Sequence, residues 1–243
     1  MKTNSETGHS KNVANFKDLV NLVSSYGADY NPARASLKIP NLNTIATNAQ
    51  TSLTSVSVKN TQYNNAVNNR FIAFENLKKL STRLVNALAV TDAPKQMVDD
   101  AKGFNRKLQG QRASAVVKQV NENDPAPVTI SASQQSYDLR IQHFRNLITV
   151  LESEESYNPN ENELKIETLT AKQSELLERN NDVSIAHAII RNARNARNKT
   201  LYEDSNGLVD IALEIKKYVK SAYGANSIEF KQVNAIKFRN IAE

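Results

Sequence analysis

Apolar residues recur every three or four positions along most of this chain, which is the spacing of helices that bury one face. In the first half the pattern predicts a helix over 12–25, one from Pro40 to a break near Asn68–Phe71, one from Phe71 through Leu88, and one that starts at Pro94 with Asp92 as its cap. In the second half it predicts helices over 134–152, 167–202 and 208–224. A last helix is predicted to start at Ser227 and to carry Val233, Ile236 and Phe238. Long helices with short connections are typical of up-and-down bundles. We therefore predict an all-α fold with about four helices in each half of the chain.

Two short segments alternate polar and apolar residues, a spacing that also fits a strand. They are residues 55–58 (Ser-Val-Ser-Val) and 182–185 (Asp-Val-Ser-Ile). Each run is only four residues long, and the apolar steps on both sides follow three and four. We predict that both segments are helical.

A ten-residue frame occurs twice, at residues 30–39 and 157–166, where Tyr-Asn-Pro is followed by four variable residues and then Leu-Lys-Ile. The copies lie 127 residues apart, and flanking residues such as Leu42 and Leu169 match at the same spacing. A tandem duplication is the simplest explanation. It predicts a flexible lead at 1–9, a first helical repeat at 10–120, a linker at 121–133 and a second helical repeat at 134–243.

The match weakens towards the end of each repeat. Phe104 aligns with Phe238 only at a spacing of 134 residues, which requires seven further residues in the second repeat. Seven residues are about two helical turns, so such an insertion keeps the buried face in phase. Chance similarity is the alternative explanation.

The repeated frame is rich in turn-forming residues. Proline fixes φ and is tolerated in the first turn of a helix, whereas asparagine favours caps and turns. We predict two structural corners in which tyrosine packs against the end of a helix pair. The alternative is a ligand site of the Tyr/Asn type that is present twice. The residues concerned are Tyr30, Asn31, Pro32, Tyr157, Asn158 and Pro159.

The net charge of +6 is unevenly distributed, because residues 1–126 hold 16 Lys and Arg against 9 Asp and Glu. A basic first half suits an anionic partner, an acidic stretch of another copy, or simply a solvated surface. The chain has no cysteine, no apolar run long enough for a membrane span, and a polar N-terminus without a signal core. We predict a soluble cytoplasmic protein, with export that needs no signal as the open alternative.

The most unusual local stretch is residues 191–199, in which Arg and Asn each recur every three residues. On a helix this spacing makes a basic ridge beside an asparagine ridge. The candidate anion- or partner-binding residues are Arg191, Arg194, Arg197 and Lys199. They suit phosphate or nucleic acid, or equally hydrogen bonds to neighbouring helices and acidic side chains. No aromatic interleaving supports nucleic acid.

No motif for catalysis, phosphate binding or metal binding occurs in the sequence. His9, His143 and His187 lack metal-ligand spacing, and the apolar neighbours of His187 predict a packed core residue. The acidic cluster at Glu152, Glu154 and Glu155 is typical of a solvated helix end. We therefore predict a protein that is not an enzyme and that uses no cofactor and no metal.

Residues 8–16, the Tyr-Asn-Pro corner and the later segment at residues 133–138 (Ser-Gln-Gln-Ser-Tyr-Asp) resemble a group of uncharacterised bacterial helical proteins. The resemblance covers most of the chain. It implies an all-helical fold and no particular activity.

These observations leave three hypotheses for function. The first is a structural or protein-interaction bundle that assembles with itself, as an oligomer or filament, or with another protein. The second is a nucleic-acid binder that uses the ridge at 191–199. The third is a membrane-active helical protein, although the chain shows no apolar hairpin and no membrane span.

Overall fold

The computed structural model describes residues 8–111 and 135–241, and within them the fold is all-α and has no strand. The helices are α1 (His9–Ser25), α2 (Ile39–Phe74), α3 (Leu77–Ala89), α4 (Lys95–Gln109), α5 (Tyr137–Glu152), α6 (Ile166–Tyr202), α7 (Leu208–Tyr223) and α8 (Ile228–Ala235). The all-α prediction is confirmed. Segments 55–58 and 182–185 lie inside α2 and α6, so they are helical as predicted. The predicted linker at 121–133 and residues 1–7 of the predicted lead lie outside the described residues.

The chain forms two compact units that cut across the predicted repeats. Unit 1 comprises Met1–Tyr63 and Ala186–Glu243, and unit 2 comprises Asn64–Ile185. Each unit therefore holds segments of both predicted repeats. The long helices α2 and α6 each contribute residues to both units.

The core of unit 1 lies around α1 and α7. Both helices bury an apolar stripe with steps of three and four, as the sequence pattern predicted. Phe16 and Leu19 of α1 are fully enclosed, and so are Leu208 and Ile215 of α7. The first turns of α2, the last turn of α6 and Val233 of α8 complete this cluster.

The core of unit 2 lies where α4 packs against α3 and α5. Phe144 and Leu147 of α5 are fully enclosed, as are Leu84 and Leu88 of α3. The N-terminal part of α6 and the last turn of α2 add further buried apolar side chains.

The residues at the helix ends explain where the helices begin and stop, and they correct some of the predicted boundaries. Ser136 caps α5 by accepting a hydrogen bond from the backbone N–H of Leu139 at 3.2 Å, so α5 begins after residue 134. Pro94 itself precedes the first residue of α4, and the predicted cap at Asp92 is wrong. Gly27 follows α1 with φ of 60°, a left-handed conformation that glycine adopts without strain.

The predicted break near Asn68–Phe71 is wrong, because α2 continues to Phe74 and α3 begins at Leu77. The last turn of α2 buries Ala73 and Phe74 instead. Phe71, predicted to begin the next buried stripe, is 64% exposed. Neither Gly nor Pro marks this break, so no local signal placed it.

The last helix ends at Ala235, so the prediction that it carries Ile236 and Phe238 is wrong. Side chains of unit 1 bind the backbone after α8 and replace the hydrogen bonds that a longer helix would make. Lys216 donates to the carbonyl of residue 236, Asn15 to that of residue 237 at 2.7 Å, and Asn12 to that of residue 239 at 2.7 Å. Phe104, aligned with Phe238 in the sequence, lies inside α4.

Candidate functional site

The first Tyr-Asn-Pro corner is closed by two tyrosines. The buried Tyr30 hydroxyl donates to the backbone carbonyl of Leu37 with an oxygen–oxygen distance of 2.9 Å. The ring of Tyr218 on α7 meets the ring of Tyr30 edge-on, with centroids 5.3 Å apart. The hydroxyl of Tyr218 accepts a hydrogen bond from the backbone N–H of Asn31 at 3.1 Å. Tyr218 thereby covers this corner, in which Pro32 is also buried.

The second corner repeats the internal bond without the covering ring. The buried Tyr157 hydroxyl donates to the carbonyl of Leu164, again at 2.9 Å. Tyr218 is the eleventh residue of α7, and the eleventh residue of α3 is Ala87. Pro159 is only half-buried here, whereas Pro32 is buried.

An open cavity of about 550 Å³ lies beside the second corner in unit 2. Ala87 lines it, together with the corner residues Tyr157, Asn158 and Pro159. Its volume falls within the range of about 300–1,000 Å³ that small-molecule sites occupy. We call this space the corner cavity.

Each corner also carries an ion pair to the neighbouring helix, and the two pairs have opposite polarity. In unit 1, Arg34 of the corner binds Glu214 of α7 at 2.6 Å. In unit 2, Glu163 of the corner binds Arg83 of α3 at 2.5 Å. Glu214 and Arg83 are both the seventh residue of their helix. The helix positions correspond and carry opposite charges, whereas Arg34 and Glu163 are the fifth and the seventh residue of the repeated frame.

Burial raises the pKa of both corner tyrosines. The pKa of Tyr157 rises to about 12, with a smaller contribution from Glu161. The pKa of Tyr30 also rises, through burial first and then through Tyr218 and Tyr223. Both hydroxyls are therefore protonated donors at neutral pH, which suits a structural role.

The predicted acidic cluster immediately precedes the second corner. Glu154 accepts hydrogen bonds from the hydroxyl of Ser156 at 2.6 Å and from its backbone N–H at 3.0 Å. These bonds, the side-chain bond first, lower the pKa of Glu154. Glu152 and Glu155 are exposed. This cluster marks the end of α5 and leads into the turn.

The basic run at 191–199 lies on α6 within unit 1, and its four cations have different surroundings. Arg191 and Arg194 are exposed, and within the described residues neither makes an ion pair or side-chain hydrogen bond. Arg197 is half-buried and donates to the Oδ1 atom of Asn198 at 2.7 Å. Lys199 pairs with Glu203 at 3.6 Å.

Arg197 also lines a second cavity of about 460 Å³ in unit 1. The start of α1, including His9 and Lys11, forms one side of this cavity, and Leu53 and Val56 of α2 form another. The candidate cations are thus divided between this cavity and the exposed surface of α6.

The three histidines lie in three different environments. His9 contacts the hydroxyl of Tyr202 at 2.7 Å. His143 of α5 is 5% exposed and neither ring nitrogen has a hydrogen-bond partner, and burial followed by the charge of Lys107 lowers its pKa. His187 is exposed beside the ring of Tyr63, so the prediction that it is a core residue is wrong. Among residues 8–111 and 135–241, no cluster of three or more acidic or histidine side chains is arranged to hold a metal.

Sequence reasoning identified both corners but missed what lies against them. Neither Tyr218 nor Ala87 belongs to a recognisable motif, and the ion pairs join residues 180 and 80 positions apart. The available signal was the spacing from the first leucine of α3 and of α7. By that spacing, Ala87 has the same position in α3 as Tyr218 has in α7, and Arg83 the same position as Glu214.

Comparison of the chain with known protein families, with curated proteins and with solved structures found no match. The resemblance to bacterial helical proteins therefore stays a prediction. In the part of the chain that the structure describes, no helix is both long enough and apolar enough to cross a membrane.

Proposed function

We propose that this chain is a non-enzymatic structural or protein-interaction protein that assembles with copies of itself. The observation that carries the proposal is the poor burial of α2. From residue 50 to residue 72, which is most of this 36-residue helix, no side chain is buried. Helices in proteins gain most of their stability from packing rather than from propensity. A helix surface of this length is suited to covering by another chain.

Large apolar side chains are exposed near the end of α2 and also on α6. Phe71 and Ile72 in unit 2 are 64% and 63% exposed, and Leu177 and Ile185 on α6 in the same unit are about half exposed, at 50% and 51%. Complete burial of such a side chain stabilises an interface by about 1.5–3 kcal/mol. Covering Phe71 and Ile72 would therefore contribute about 1–2 kcal/mol each.

We also propose that the chain is a tandem duplication of one set of four helices. In both halves a helix leads to a corner with a short 3₁₀ turn, at Ala35–Leu37 and at Asn162–Leu164. A long helix follows each turn, of 36 and 37 residues, and then two shorter helices. The equal tyrosine hydrogen bonds of 2.9 Å support the same conclusion.

The duplication bears on self-assembly because each compact unit draws on both predicted repeats. Unit 1 takes Met1–Tyr63 from the first repeat and Ala186–Glu243 from the second. In an ancestor with one repeat, the same contacts would have joined two chains by exchange of segments, a common route to dimers. The helices that join the two repeats within a unit are thus suited to pairing with a second copy of the chain.

Sedimentation velocity over a wide range of concentrations tests the proposal. We expect the natural chain to self-associate in the micromolar range and the double variant Phe71→Ser/Ile72→Ser to dissociate more readily. Ile228→Ser is the matched control, because Ile228 is 70% exposed but lies on α8. A natural chain that stays monomeric at high concentration would refute self-assembly.

Nucleic-acid binding is the second candidate, supported by the exposure of Arg191 and Arg194. These residues are three positions apart and so are neighbours on the surface of α6. Binding through them should weaken with salt and with the variant Arg191→Ala/Arg194→Ala. The control Arg145→Ala/Lys165→Ala removes two other exposed cations. An absence of binding at low salt, or equal losses in both variants, counts against this candidate.

A further inference from the structure

We infer that the corner cavity is a binding site for a phenol-like ligand, an aromatic ring that carries a hydroxyl group. The inference rests on the first corner, which shows what fills the corresponding space. There the phenol ring of Tyr218 packs edge-on against Tyr30 and its hydroxyl accepts from the backbone N–H of Asn31. At the second corner the matching helix position is Ala87, so the space is open.

The tyrosine wall is the same at both corners, but the backbone donor is not, because the N–H of Asn158 donates to the carbonyl of Ser156 at 3.1 Å whereas that of Asn31 donates to Tyr218. Tyr157 is held by its bond to Leu164 as Tyr30 is held by its bond to Leu37, both at 2.9 Å. Edge-to-face aromatic pairs of the Tyr30–Tyr218 kind contribute about 0.5–1.5 kcal/mol beyond the area that they bury. A ring placed against Tyr157 would make the same contact.

The remaining lining suits a ring with a polar substituent. Ala87, Val90 and Pro159 offer apolar surface for the ring. The amides of Asn86 and Asn160 offer both donors and acceptors for a hydroxyl. A volume of about 550 Å³ leaves room for a substituent beyond a single ring. The lining therefore combines apolar surface with polar groups and the charged Arg83 and Glu161, a mixture that small-molecule sites generally show.

The ring can come from two sources, a free small molecule or a tyrosine side chain of a second copy of the chain. The chemistry recognised is the same in both cases. The proposal does not depend on self-assembly, since a monomer can bind a free phenol.

The test uses p-cresol, which is the side chain of tyrosine as a free molecule, and follows its binding by ligand-observed NMR. We expect saturable binding to the natural chain and at least tenfold weaker binding to Ala87→Tyr, in which the new side chain fills the cavity. Ala89→Tyr is the matched control, because Ala89 is an exposed residue of α3 outside the cavity, and it should bind p-cresol normally. Circular dichroism checks that each variant is folded. If Ala87→Tyr does not fold, Ala87→Leu takes its place, and the expected loss of binding is the same.

The mirror experiment opens the first corner. Tyr218→Ala should create a second p-cresol site, and p-cresol should raise the melting temperature of this variant more than that of the natural chain. No saturable binding by the natural chain, or undiminished binding by the filled variants, would overturn the inference.

Sedimentation of Ala87→Tyr distinguishes the two sources. If a tyrosine of a second copy occupies the cavity, the substitution and added p-cresol both weaken self-association at least tenfold. If association is unchanged while p-cresol binds, the ligand is a free molecule. Either result supports the site.

Discussion

The two Tyr-Asn-Pro corners share one tyrosine hydrogen bond but differ in what covers them. Tyr30 and Tyr157 each close a turn by a hydrogen bond to a leucine carbonyl seven residues later. In unit 1 the ring of Tyr218 seals the corner, whereas in unit 2 Ala87 leaves a cavity of about 550 Å³. The hydrogen bond within the turn therefore does not require the covering ring. A residue outside the turn decides whether the corner is closed or open.

The two corners also differ in the sign of their ion pairs to the neighbouring helix. Arg34 pairs with Glu214 in unit 1, and Glu163 pairs with Arg83 in unit 2. The helix positions of Glu214 and Arg83 match, whereas Arg34 is the fifth and Glu163 the seventh residue of the repeated frame, so each corner pairs with its helix through a different residue. Electrostatic attraction depends on the product of the charges, so either polarity serves.

The largest effect is expected from truncating the corner tyrosines. Tyr30→Ala should destabilise the protein by about 3–5 kcal/mol, because it removes a buried ring. Tyr157→Ala should cost about 1 kcal/mol less, since no ring contact is lost with it. Urea unfolding followed by circular dichroism measures both. Equal losses would show that Tyr218 contributes nothing to the first corner.

Alkaline pH should weaken the second corner by the next largest amount. The folded state raises the pKa of Tyr157 from 10.0 to about 12, so stability is complete below pH 10 and is lost as pH rises from 10 to 12. Two units of pKa correspond to about 2–3 kcal/mol. The difference in unfolding free energy between the natural chain and Tyr157→Phe should shrink over this range. A constant difference would contradict the raised pKa.

Removal of the hydroxyls alone should have a moderate effect. Tyr30→Phe and Tyr157→Phe each leave a leucine carbonyl without its donor, at an expected cost of about 1–2 kcal/mol. Tyr218→Phe removes the acceptor for an exposed N–H and should cost less. Thermal unfolding of the three variants gives the comparison. A cost at Tyr218 equal to that at Tyr30 would mean that the outer bond is as important as the inner one.

A smaller loss of stability is expected at mildly acidic pH from His143 of α5. His143 directly precedes a buried phenylalanine, and Asn15 has the same place in α1. Asn15 precedes Phe16 and binds a backbone carbonyl, whereas His143 precedes Phe144 without a partner. Burial lowers the pKa of His143 below 6.5 in the folded state, so stability should fall as pH drops below 6.5. His143→Phe should lack this part of the pH dependence. Identical pH profiles of the two proteins would contradict it.

The smallest effect is expected from the ion pairs. Both Arg34 and Arg83 are about half exposed, and exposed pairs contribute about 0–1 kcal/mol. A double-mutant cycle on Arg83→Ala and Glu163→Ala measures the coupling energy, which should decrease with added salt. Exchanging the two charges, Arg83→Glu with Glu163→Arg, should preserve most of it. A cycle energy that is insensitive to salt would show that the pair is not electrostatic.

Local signals predicted the helices best where turn chemistry marked their ends. Gly27 and Gly207 lie beside the end of α1 and the start of α7, and the sequence pattern predicts both boundaries to within a residue. The break after Phe74 has no such residue and was misplaced. The sequence predicts the two corners of the candidate site, because each corner is a continuous stretch of ten residues. It does not predict Tyr218 or Ala87, because these residues are distant in the chain from the corners that they adjoin.

The sequence by itself determined an all-helical chain, its turns and the two corners, because periodicity and turn residues act over a few positions. Only the tertiary structure decided which apolar faces are covered. Phe71 and His187 lie on helices as predicted, yet both are exposed because no segment packs over them within the described residues. It also decided that Tyr218 closes one corner and that Ala87 leaves the other open. These outcomes depend on contacts between residues far apart in the chain, which no local pattern encodes.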